Sequence, residues 1–416
     1  MNADFKFMRV ALRLARRGYG TTSPNPMVGA VLVKGGKIIG RGWHRRAGLP
    51  HAEIEALRDA ERRGHHPKGA TLYVTLEPCS THGLTPPCTD AIIAAGIKRV
   101  IVGAMDPNPK HSGRAFKILR RAGIDVVGAG SAGILPAVFS IRKRTTRRQD
   151  AGAPAALADE CARLNEAFNH WIVQRTPFVT VKAAMTLDGK IATASGESKW
   201  ITGEKARAYG MNLRQGADAI LVGVNTILAD DPSLTTRGRK SEVRSRDKHS
   251  RLRRIILDSL ARTPLDAKVV CDKFATLTTI IVSKRAPKSR VAALARRVNI
   301  IVAPAFMVGR VSPRAGSSAA SPHQYIDLRW LLKKFGSENI THLLVEGGGE
   351  VNASFLLGRL AQRVVFFYAP KILGGRDSLK AVAGDGARNL AEALQLCDVA
   401  WKRIGLDLLL TARVMS

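Results

Sequence analysis

The stretch that decides the fold of the first half of the chain is TLEPCSTHGLTPPC, residues 75–88. A β-rich run, ATLYVTL at 70–76, leads into this stretch, and TDAIIAA at 89–95, closed by Gly96, follows it with the pattern of a short helix. Upstream, residues 51–63 form a second predicted helix. Strand and helix signals that alternate in this way predict an α/β unit.

Three residues in and before this stretch have the donor types of a zinc site. His51, Cys79 and Cys88 offer one nitrogen and two sulfurs, and they leave a fourth tetrahedral position to water, as catalytic zinc requires. Cys88 stands at a predicted helix N-terminus, where the helix dipole favours the thiolate. Glu53 is the candidate catalytic residue, because a carboxylate beside the bound water can carry a proton to a leaving amine.

The spacing of these residues bears on whether they form the site of a zinc-dependent deaminase or occur together by chance. The pattern H-x-E followed by P-C-x-x-C is typical of zinc nucleobase deaminases. The chain has the first half unchanged at residues 51–53, but eight residues rather than two separate Cys79 from Cys88. For either cysteine alone, a chance structural cysteine is the simpler interpretation. The combined pattern favours a zinc-dependent deaminase.

The rest of the chain divides into segments of different character. Residues 27–42 predict a hairpin that turns at Gly35-Gly36, and residues 1–128 complete the first domain. Residues 129–157, rich in Ala, Gly, Pro and Arg, are interpreted as a basic linker insertion. From residue 158 to residue 416 a second alternation of strands and helices predicts a second α/β domain.

The composition restricts the possible functions. The chain has 416 residues and a formal net charge of +33, which first suggests a nucleic-acid binder. Residues 142–150 and 237–254 together carry +11 of that charge, so a third of the excess lies in two predicted loops. No apolar run reaches the roughly 18–20 residues of a membrane span. Five scattered cysteines argue against a disulfide framework, and without an apolar leader we expect a cytoplasmic protein.

Three strings carry a resemblance to one family. PNPMVGAVLV at 24–33, PCSTHGLTPPC at 78–88 and DPNP at 106–109 closely resemble the bifunctional riboflavin-biosynthesis deaminase/reductases. The resemblance implies a cytidine-deaminase-like three-layer α/β domain, followed by a dihydrofolate-reductase-like domain. It also implies two activities, which are the hydrolytic deamination of 2,5-diamino-6-(5-phosphoribosylamino)pyrimidin-4-one and the reduction of its ribosyl group by NADPH.

Further residues of the first domain take roles through the resemblance. Asn25 fits an asparagine that orients the base in related deaminases, and His44 and Asn108 are weaker candidates for substrate contact. Relatives usually carry His where this chain has Thr81, and Lys or Arg where it has Leu84. Those side chains are expected near the substrate phosphate, so the departure leaves open how this site holds phosphate. His82 and Arg114 are the candidates to compensate.

The second half lacks a GxGxxG motif, but it resembles the reductase in three strings at 181–190, 195–202 and 223–232. Gly347-Gly348-Gly349 lies between a predicted strand and helix, where glycines let backbone N–H groups approach an anion. The resemblance assigns NADPH contacts to Ala184, Trp200, Thr226, Asp230, Ser259, Gly348, Gly349, Glu350, Val351, Asn352, Ala353 and Ser354. It assigns substrate contacts to Ser198, Arg214, Leu234, Arg237 and Glu346, and Lys182 is a plausible group beside the sugar carbonyl.

Two other functions compete with this interpretation. A nucleic-acid deaminase would explain the charge and the residues 51–53, but it has no need of a reductase domain. A basic binding module with a structural zinc would not need Glu53 beside an open coordination position. We therefore expect a small phosphorylated pyrimidine as substrate, Zn²⁺ and NADPH as cofactors, no specific nucleic acid, no membrane, and a homo-oligomer.

Overall fold

The computed structural model describes residues 3–82, 86–128, 153–236, 252–306 and 325–415. The chain divides into two compact units, Met1–Arg175 and Thr176–Ser416. Among the described residues, no helix combines the length and the apolar composition needed to cross a lipid bilayer.

The first unit contains a five-stranded sheet in the order β2-β1-β3-β4-β5. Strand β1 pairs antiparallel with β2 and β3, and the remaining pairs are parallel. Its elements are α1 (Ala3–Ala15), β1 (Gly29–Lys34), β2 (Lys37–Trp43), α2 (Ala52–Arg62), β3 (Thr71–Val74), α3 (Cys88–Ala94), β4 (Arg99–Val102), α4 (Arg114–Arg121), β5 (Asp125–Gly128), α5 (Ala153–Leu164) and α6 (Glu166–Gln174).

The predicted hairpin is confirmed, with a two-residue turn between β1 and β2. Gly35 and Gly36 both have positive φ, +56° and +72°, which is the conformation that a type I′ hairpin turn requires of both central residues. The hairpin places β1 between β2 and β3 in the middle layer of a three-layer arrangement. One face of the sheet packs on apolar residues of α2, α3 and α4, and the other packs on α1 and α5.

Helices α5 and α6 belong to the first unit, whereas the sequence analysis placed the second domain's start at residue 158. Cys161 of α5 is buried in the same apolar cluster as Met8 of α1. The Asn165 side chain holds the backbone of Met27 through two hydrogen bonds, 2.8 and 2.9 Å long. These contacts move the unit boundary to Arg175. Of the predicted linker, residues 129–152 lie outside the described residues, and 153–157 are part of α5.

The second unit contains a nine-stranded sheet in the order β11-β10-β9-β8-β14-β6-β15-β18-β17. Seven neighbouring strands are parallel, and β18 and β17 extend the sheet antiparallel. Its strands are β6 (Phe178–Thr186), β7 (Lys190–Ala192), β8 (Ala219–Gly223), β9 (Arg253–Leu257), β10 (Thr278–Val282), β11 (Asn299–Val302), β12 (Ala305–Phe306), β13 (Tyr325–Ile326), β14 (His342–Val345), β15 (Arg363–Ala369), β16 (Leu379–Lys380), β17 (Leu396–Ile404) and β18 (Asp407–Val414). Its helices are α7 (Glu204–Gln215), α8 (Val224–Asp230), α9 (Lys268–Cys271), α10 (Lys288–Ala295), α11 (Leu328–Ser337) and α12 (Gly349–Leu357).

The central strands β8, β14 and β6 are buried on both faces, as parallel strands between helix layers must be. Residues of β8 divide between two apolar clusters, with Leu221 in one and Ile220 in the other. Small paired strands, β7 with β16 and β12 with β13, lie outside this sheet. The large sheet therefore provides a scaffold, and the loops that follow its strands can present functional residues.

Helix α2 lies so close to β2 that the strand has glycine at the contact. A Cβ atom at Gly42 would stand 2.1 Å from the carbonyl oxygen of Ala52 and 2.4 Å from the nitrogen of Ala56. Both contacts are with backbone, so no side-chain rotation can relieve them. Because Ala52 is the first residue of α2 and follows His51 directly, this contact sets the position of His51 relative to the sheet.

We expect Gly42→Ala to lower the free energy of unfolding of the first unit by about 1–3 kcal/mol, since overpacking forces the backbone apart. Urea denaturation of the purified variant measures the change. Arg41→Ala is the matched control, because Arg41 is adjacent and exposed and should shift stability by less than about 0.5 kcal/mol. Equal stability of Gly42→Ala and the wild type would contradict the close contact.

Candidate active sites

The three residues with zinc-donor atoms meet in the first unit. The Nδ1 atom of His51 lies 3.3 Å from the Sγ atom of Cys88 and 3.5 Å from that of Cys79. All three donor atoms lie within 4.8 Å of one another. For zinc bonded to sulfur at 2.3 Å and to nitrogen at about 2.0–2.1 Å, tetrahedral angles place nitrogen and sulfur about 3.5 Å apart. The donor set therefore fits zinc.

Three different elements position these donors. His51 is the N-cap of α2, and Cys88 is the first residue of α3. Cys79 lies in the loop after β3, where its Sγ accepts a 3.2 Å hydrogen bond from the backbone nitrogen of Cys88. The two helix starts and the strand end converge because β3 and β4 are parallel and α3 connects them.

Glu53 is the second residue of α2, two positions after His51, and it is only 3% exposed. Burial raises the pKa of its carboxyl group to about 7, and the charge of His51 limits the rise. A carboxyl group with a pKa near neutral can both accept and donate a proton under ordinary conditions. The position of Glu53 beside the donor set therefore suits proton transfer.

The pKa values of the Cys79 and Cys88 thiols shift in opposite directions. A hydrogen bond from Cys88 lowers the pKa of Cys79 to about 4, against the effect of burial. The same hydrogen bond, together with burial, raises the pKa of Cys88. The expectation that the helix N-terminus lowers the pKa of Cys88 is therefore wrong for the metal-free site, because the hydrogen bond with Cys79 and burial both raise it.

Asn25 and His44 form a hydrogen-bonded pair next to the donors. The Nε2 atom of His44 lies 3.2 Å from the Nδ2 atom of Asn25, and its Nδ1 atom lies 3.2 Å from the carbonyl oxygen of Pro50. Since a carbonyl only accepts, Nδ1 of His44 donates and Nε2 accepts from the Asn25 amide. The His44 ring also meets that of His51 edge-on, with 5.3 Å between centroids.

The loop after β4 is held by the buried carboxylate of Glu77. It accepts hydrogen bonds from the backbone nitrogens of Asp106, Gly113 and Ala115, at 3.2, 3.0 and 3.1 Å. This loop carries His111, whose Nδ1 atom lies 3.5 Å from the Oγ1 atom of Thr81. The sequence analysis missed both Glu77 and His111, and Leu84 lies outside the described residues.

The second unit contains a cavity of about 390 Å³ where β8, β9 and β14 end. Of the predicted NADPH contacts, it is lined by Thr226, Ser259, Gly348, Gly349, Glu350 and Val351. The other residues along it, which the sequence analysis missed, are Ile191, Gly223, Val224, Asn225, Leu257, Leu260, Arg262, Leu379, Lys380 and Ala383. No motif marks Arg262, since it lies in a turn whose shape depends on distant residues.

The remaining predicted cofactor contacts are not among the residues that line this cavity, and their roles stay predictions. Ser198 donates a 3.1 Å hydrogen bond to the carboxylate of Asp230, so the structure brings these two together. Trp200 is 64% exposed and stacks with Arg207. Ala184 is half-buried, Asn352 and Ala353 are buried, and Ser354 is exposed.

Three predicted site residues form a buried charge cluster. Arg214 holds Glu346 with two hydrogen bonds of 2.8 and 2.9 Å, and the Nζ atom of Lys182 lies 3.7 Å from the same carboxylate. Burial alone would raise the pKa of Glu346, but the charges of Lys182 and Arg214 outweigh it and hold the pKa at about 2. The carboxylate is therefore ionised at any ordinary pH.

The guanidinium group of Arg214 is largely committed to the protein. Besides Glu346, it donates a 3.3 Å hydrogen bond to the carbonyl oxygen of Thr235. Of its five N–H groups, two remain for a substrate. Leu234, the neighbour of Thr235, is buried and has a φ of +49°, and Arg237 lies outside the described residues.

Two family models match this chain, one for each compact unit. A family model described as "RibD C-terminal domain" matches residues 177–410. Another, described as "Cytidine and deoxycytidylate deaminase zinc-binding region", matches residues 1–104. The two matched ranges fall within the two compact units.

Relatives match along nearly the whole chain. The riboflavin biosynthesis protein RibD of Aquifex aeolicus is 40% identical over 98% of this chain and 97% of its own length. That of Escherichia coli is 36% identical over 98% of each chain. Among solved structures, Acinetobacter baumannii RibD superposes with a TM-score of 0.76 at 31% identity, covering 100% of this chain and 99% of that one. A Thermotoga maritima diaminohydroxyphosphoribosylaminopyrimidine deaminase/5-amino-6-(5-phosphoribosylamino)uracil reductase gives 0.73 at 32% identity, covering 99% of each.

We expect Glu346→Gln to lower the free energy of unfolding of the second unit by about 3–5 kcal/mol at pH 7, because it removes the carboxylate charge that both Lys182 and Arg214 pair with. With a folded pKa of about 2 against an ordinary 4.5, the wild-type carboxylate stabilises fully above pH 4.5. That stabilisation is lost as the pH falls towards 2, so the variant should be less sensitive to pH in this range. Urea unfolding at pH 7 and at lower pH measures both effects.

The matched control is Glu338→Gln. Glu338 also has two cationic partners, Arg253 and Lys334, but its side chain is 30% exposed. Solvent screening should limit its cost to less than about 1 kcal/mol. An equal cost for the two variants would contradict the buried cluster as a special source of stability.

Proposed function

The chain belongs to the RibD family of bifunctional riboflavin-biosynthesis enzymes, and on that basis we propose which residues carry its two activities. The protein is a zinc-dependent deaminase and an NADPH-dependent reductase. We place deamination at the donor set of the first unit. We place reduction at the cavity and the charge cluster of the second unit.

The observation that carries the first assignment is the position of Glu53. It is a buried carboxyl group next to a nitrogen and two sulfurs at zinc-compatible distances. When bound, zinc supplies the Lewis acidity that lets water act as a nucleophile near neutral pH. We assign the ligands to His51, Cys79 and Cys88. A structural zinc site would have four protein ligands and no need of a proton carrier.

Glu53 moves the protons of the reaction. Water adds to the carbon that bears the 2-amino group of 2,5-diamino-6-(5-phosphoribosylamino)pyrimidin-4-one, and Glu53 accepts a proton from it. The carboxyl group then gives a proton to the departing amine, the carbon–nitrogen bond breaks, and ammonia leaves. Burial of Glu53 raises the pKa of its carboxyl group in the metal-free site, and a group shifted towards neutrality suits a proton carrier.

Asn25 orients the base, and His44 sets the orientation of Asn25. Because the Asn25 amide nitrogen donates to His44, its carbonyl oxygen is left as an acceptor for an amino group of the substrate. Burial lowers the pKa of His44, which keeps the ring neutral and able to accept. This pair selects a ring whose leaving group is an amine.

The second unit positions the cofactor and the sugar for reduction. The N-terminus of α12, at Gly348 and Gly349, offers backbone N–H groups to the pyrophosphate. When bound, NADPH would supply the hydride for C1 of the ribosyl group, and the ring oxygen would take a proton from water as the ribosyl group becomes ribityl. The remaining cofactor contacts that we propose are Ala184, Trp200, Thr226, Asp230, Ser259, Glu350, Val351, Asn352, Ala353 and Ser354. For the substrate we propose Lys182, Ser198, Arg214, Leu234, Arg237 and Glu346.

The charge cluster supports a polar substrate next to the cavity. Lys182 faces the sugar with a cationic Nζ, and Glu346 holds that ammonium group in place. The two free N–H groups of Arg214 are available to a phosphate or hydroxyl oxygen. These groups suit the product of the first reaction, a phosphorylated ribosylaminopyrimidine.

Two properties of the whole protein complete the proposal. We propose a cytoplasmic enzyme, because Cys79 and Cys88 must stay reduced to bind zinc. We propose a homo-oligomer, because the edge strand β17 exposes Val399 and Trp401 at 50% and 59%, and exposed strand edges tend to pair with another chain. Sedimentation of the purified protein tests the second proposal.

Glu53→Gln should retain about one zinc per chain, since the amide keeps the shape of the side chain, but should lose at least about a hundredfold in ammonia release. Zinc is measured by atomic emission, and ammonia is measured after addition of the pyrimidine phosphate. Glu55→Gln, on the same helix and paired with Arg45 and Arg58, is the control and should release ammonia normally. Undiminished ammonia release by Glu53→Gln would contradict the proton-transfer role proposed for Glu53.

Arg214→Ala should abolish most NADPH oxidation and raise the KM for the ribosylaminopyrimidine, because it removes substrate contacts and leaves Glu346 without its main partner. A charged hydrogen bond accounts for about 1.5–3 kcal/mol, or roughly a 10- to 100-fold loss. Ammonia release in the same preparation is the internal control, because the donor set lies in the other unit. Parallel loss of both activities would argue against two separate sites.

A further inference from the structure

Basic residues line the exposed side of α1. Residues 5–17 contain no acidic residue, and their basic side chains, all exposed, are Lys6, Arg9, Arg13, Arg16 and Arg17. Steps of three or four residues keep such side chains on one side of a helix, and the other side of α1 packs on the sheet. We propose that the cationic face of α1, defined as Lys6, Arg9, Arg13 and Arg17, binds the phosphate backbone of a nucleic-acid duplex without reading its sequence. This interaction is additional to the two enzymatic activities and depends on neither.

The charges of the cationic face are not neutralised by the protein. Its four members form no ion pair with a carboxylate in the part of the chain that the structure describes. The neighbouring Arg16 differs, because it pairs with Glu160 of α5. The one acidic residue of α1, Asp4, accepts a 2.6 Å hydrogen bond from the hydroxyl group of Tyr73 and pairs with Arg99. The face therefore presents four positive charges to the solvent.

This arrangement of charge is unfavourable for α1 itself. Like charges three or four residues apart on a helix repel each other, and Lys6, Arg9 and Arg13 follow one another at these spacings. The helix dipole favours cations near the C-terminus only, so it accounts for Arg13 but not for Lys6. Solubility alone is served by a surface on which both signs are mixed. A bound anionic partner would offset the repulsion.

The chemistry of the face favours a nucleic acid over two other occupants. A second copy of the chain would bring the same positive charges together. A lipid surface is bound by burying apolar side chains as well as by charge, and among the described residues of α1 no large apolar side chain is exposed. A duplex carries one negative charge per about 1.7 Å of its axis. The face is about 16 Å long at 1.5 Å per residue, and so spans about nine phosphates, of which roughly half can turn towards it.

The aromatic residue at one end of the face favours a duplex over a single strand. Arg17 lies 4.9 Å from the centroid of the Trp43 ring system, and Arg45 lies 4.6 Å from it. Single strands are commonly held by stacking their bases on aromatic rings, but guanidinium groups already occupy Trp43. The N–H groups of a stacked guanidinium lie in its own plane and remain available to a phosphate. The surface therefore suits a backbone whose bases are already paired.

The test measures binding of the full-length protein to a short fluorescent RNA duplex, by anisotropy, between about 50 and 200 mM salt. The log–log slope of the binding constant against salt should be about −4, since each of four to five phosphate contacts contributes about −0.9. Arg9→Gln/Arg13→Gln should weaken binding about tenfold and reduce the slope by about 2. Arg9→Lys/Arg13→Lys should bind nearly as the wild type, because it keeps both charges. A DNA duplex of the same sequence should bind with similar affinity.

The matched control is Lys117→Gln/Arg121→Gln, which removes two exposed cations, also four residues apart, from α4 on the opposite face of the sheet. It should keep the wild-type Kd and slope, and every variant should release ammonia normally, which verifies its folding.

Four results would overturn the proposal. The first is failure of the wild-type protein to bind the duplex at low salt, and the second is a wild-type slope in Arg9→Gln/Arg13→Gln, which would place binding elsewhere on the chain. The third is an equal loss in both glutamine double variants, which would indicate a response to net charge alone. The fourth is tight binding to phosphatidylserine vesicles with none to the duplex, which would assign the face to a membrane surface.

Discussion

Parallel pairing of strands is the constraint on which both sites depend. Parallel neighbours need a crossover connection, so their carboxyl ends meet at one edge of the sheet, where helices begin and backbone N–H groups are unpaired. In the first unit this edge carries Cys79 after β3, and α3 begins there with Cys88. In the second unit it carries Glu346 and Gly348 after β14, with Arg262 after β9. The two proposed sites therefore both lie at the carboxyl ends of parallel strands, although their residues suit different reactions.

The sequence predicted the elements with strong local signals and missed those that depend on distant contacts. Glycines at 35 and 36, flanked by apolar runs, allow few structures other than a hairpin, and the hairpin is confirmed. Strand β17 was missed because it lies at the sheet edge, with its residues largely exposed, so it has no alternating pattern to detect. Helices α5 and α6 carry ordinary helical sequence, and tertiary contacts place them in the first unit: α5 packs on α1, and Asn165, just before α6, bonds Met27.

The site divides in the same way between local motif and tertiary contact. His51, Glu53 and Cys79 stand in short motifs whose residue types already imply a metal and a proton carrier, and the structure brings them together. Arg262, which lines the cavity of the second unit, carries no motif, because it lies in a turn that Ser283 and Arg290, more than 20 positions away, help to hold. Net charge was a weaker guide than position. The net charge of +33 first suggested a nucleic-acid binder, but a third of the excess lies in residues 142–150 and 237–254, so the charge alone indicated no function.

Two buried carboxyl groups show how position, rather than residue type, determines chemistry. Glu53 and Glu346 are both removed from water, yet burial raises the pKa of the first to about 7, while two cations hold that of the second at about 2. Glu53 lies beside His51, and its raised pKa in the metal-free site suits a group that exchanges protons near neutral pH. Glu346 cannot be protonated there, so it can only organise Lys182 and Arg214. Opposed pKa shifts of this kind are what distinguish an acid–base group from an electrostatic anchor, and they support the proposal that Glu53 transfers protons and Glu346 positions its neighbours.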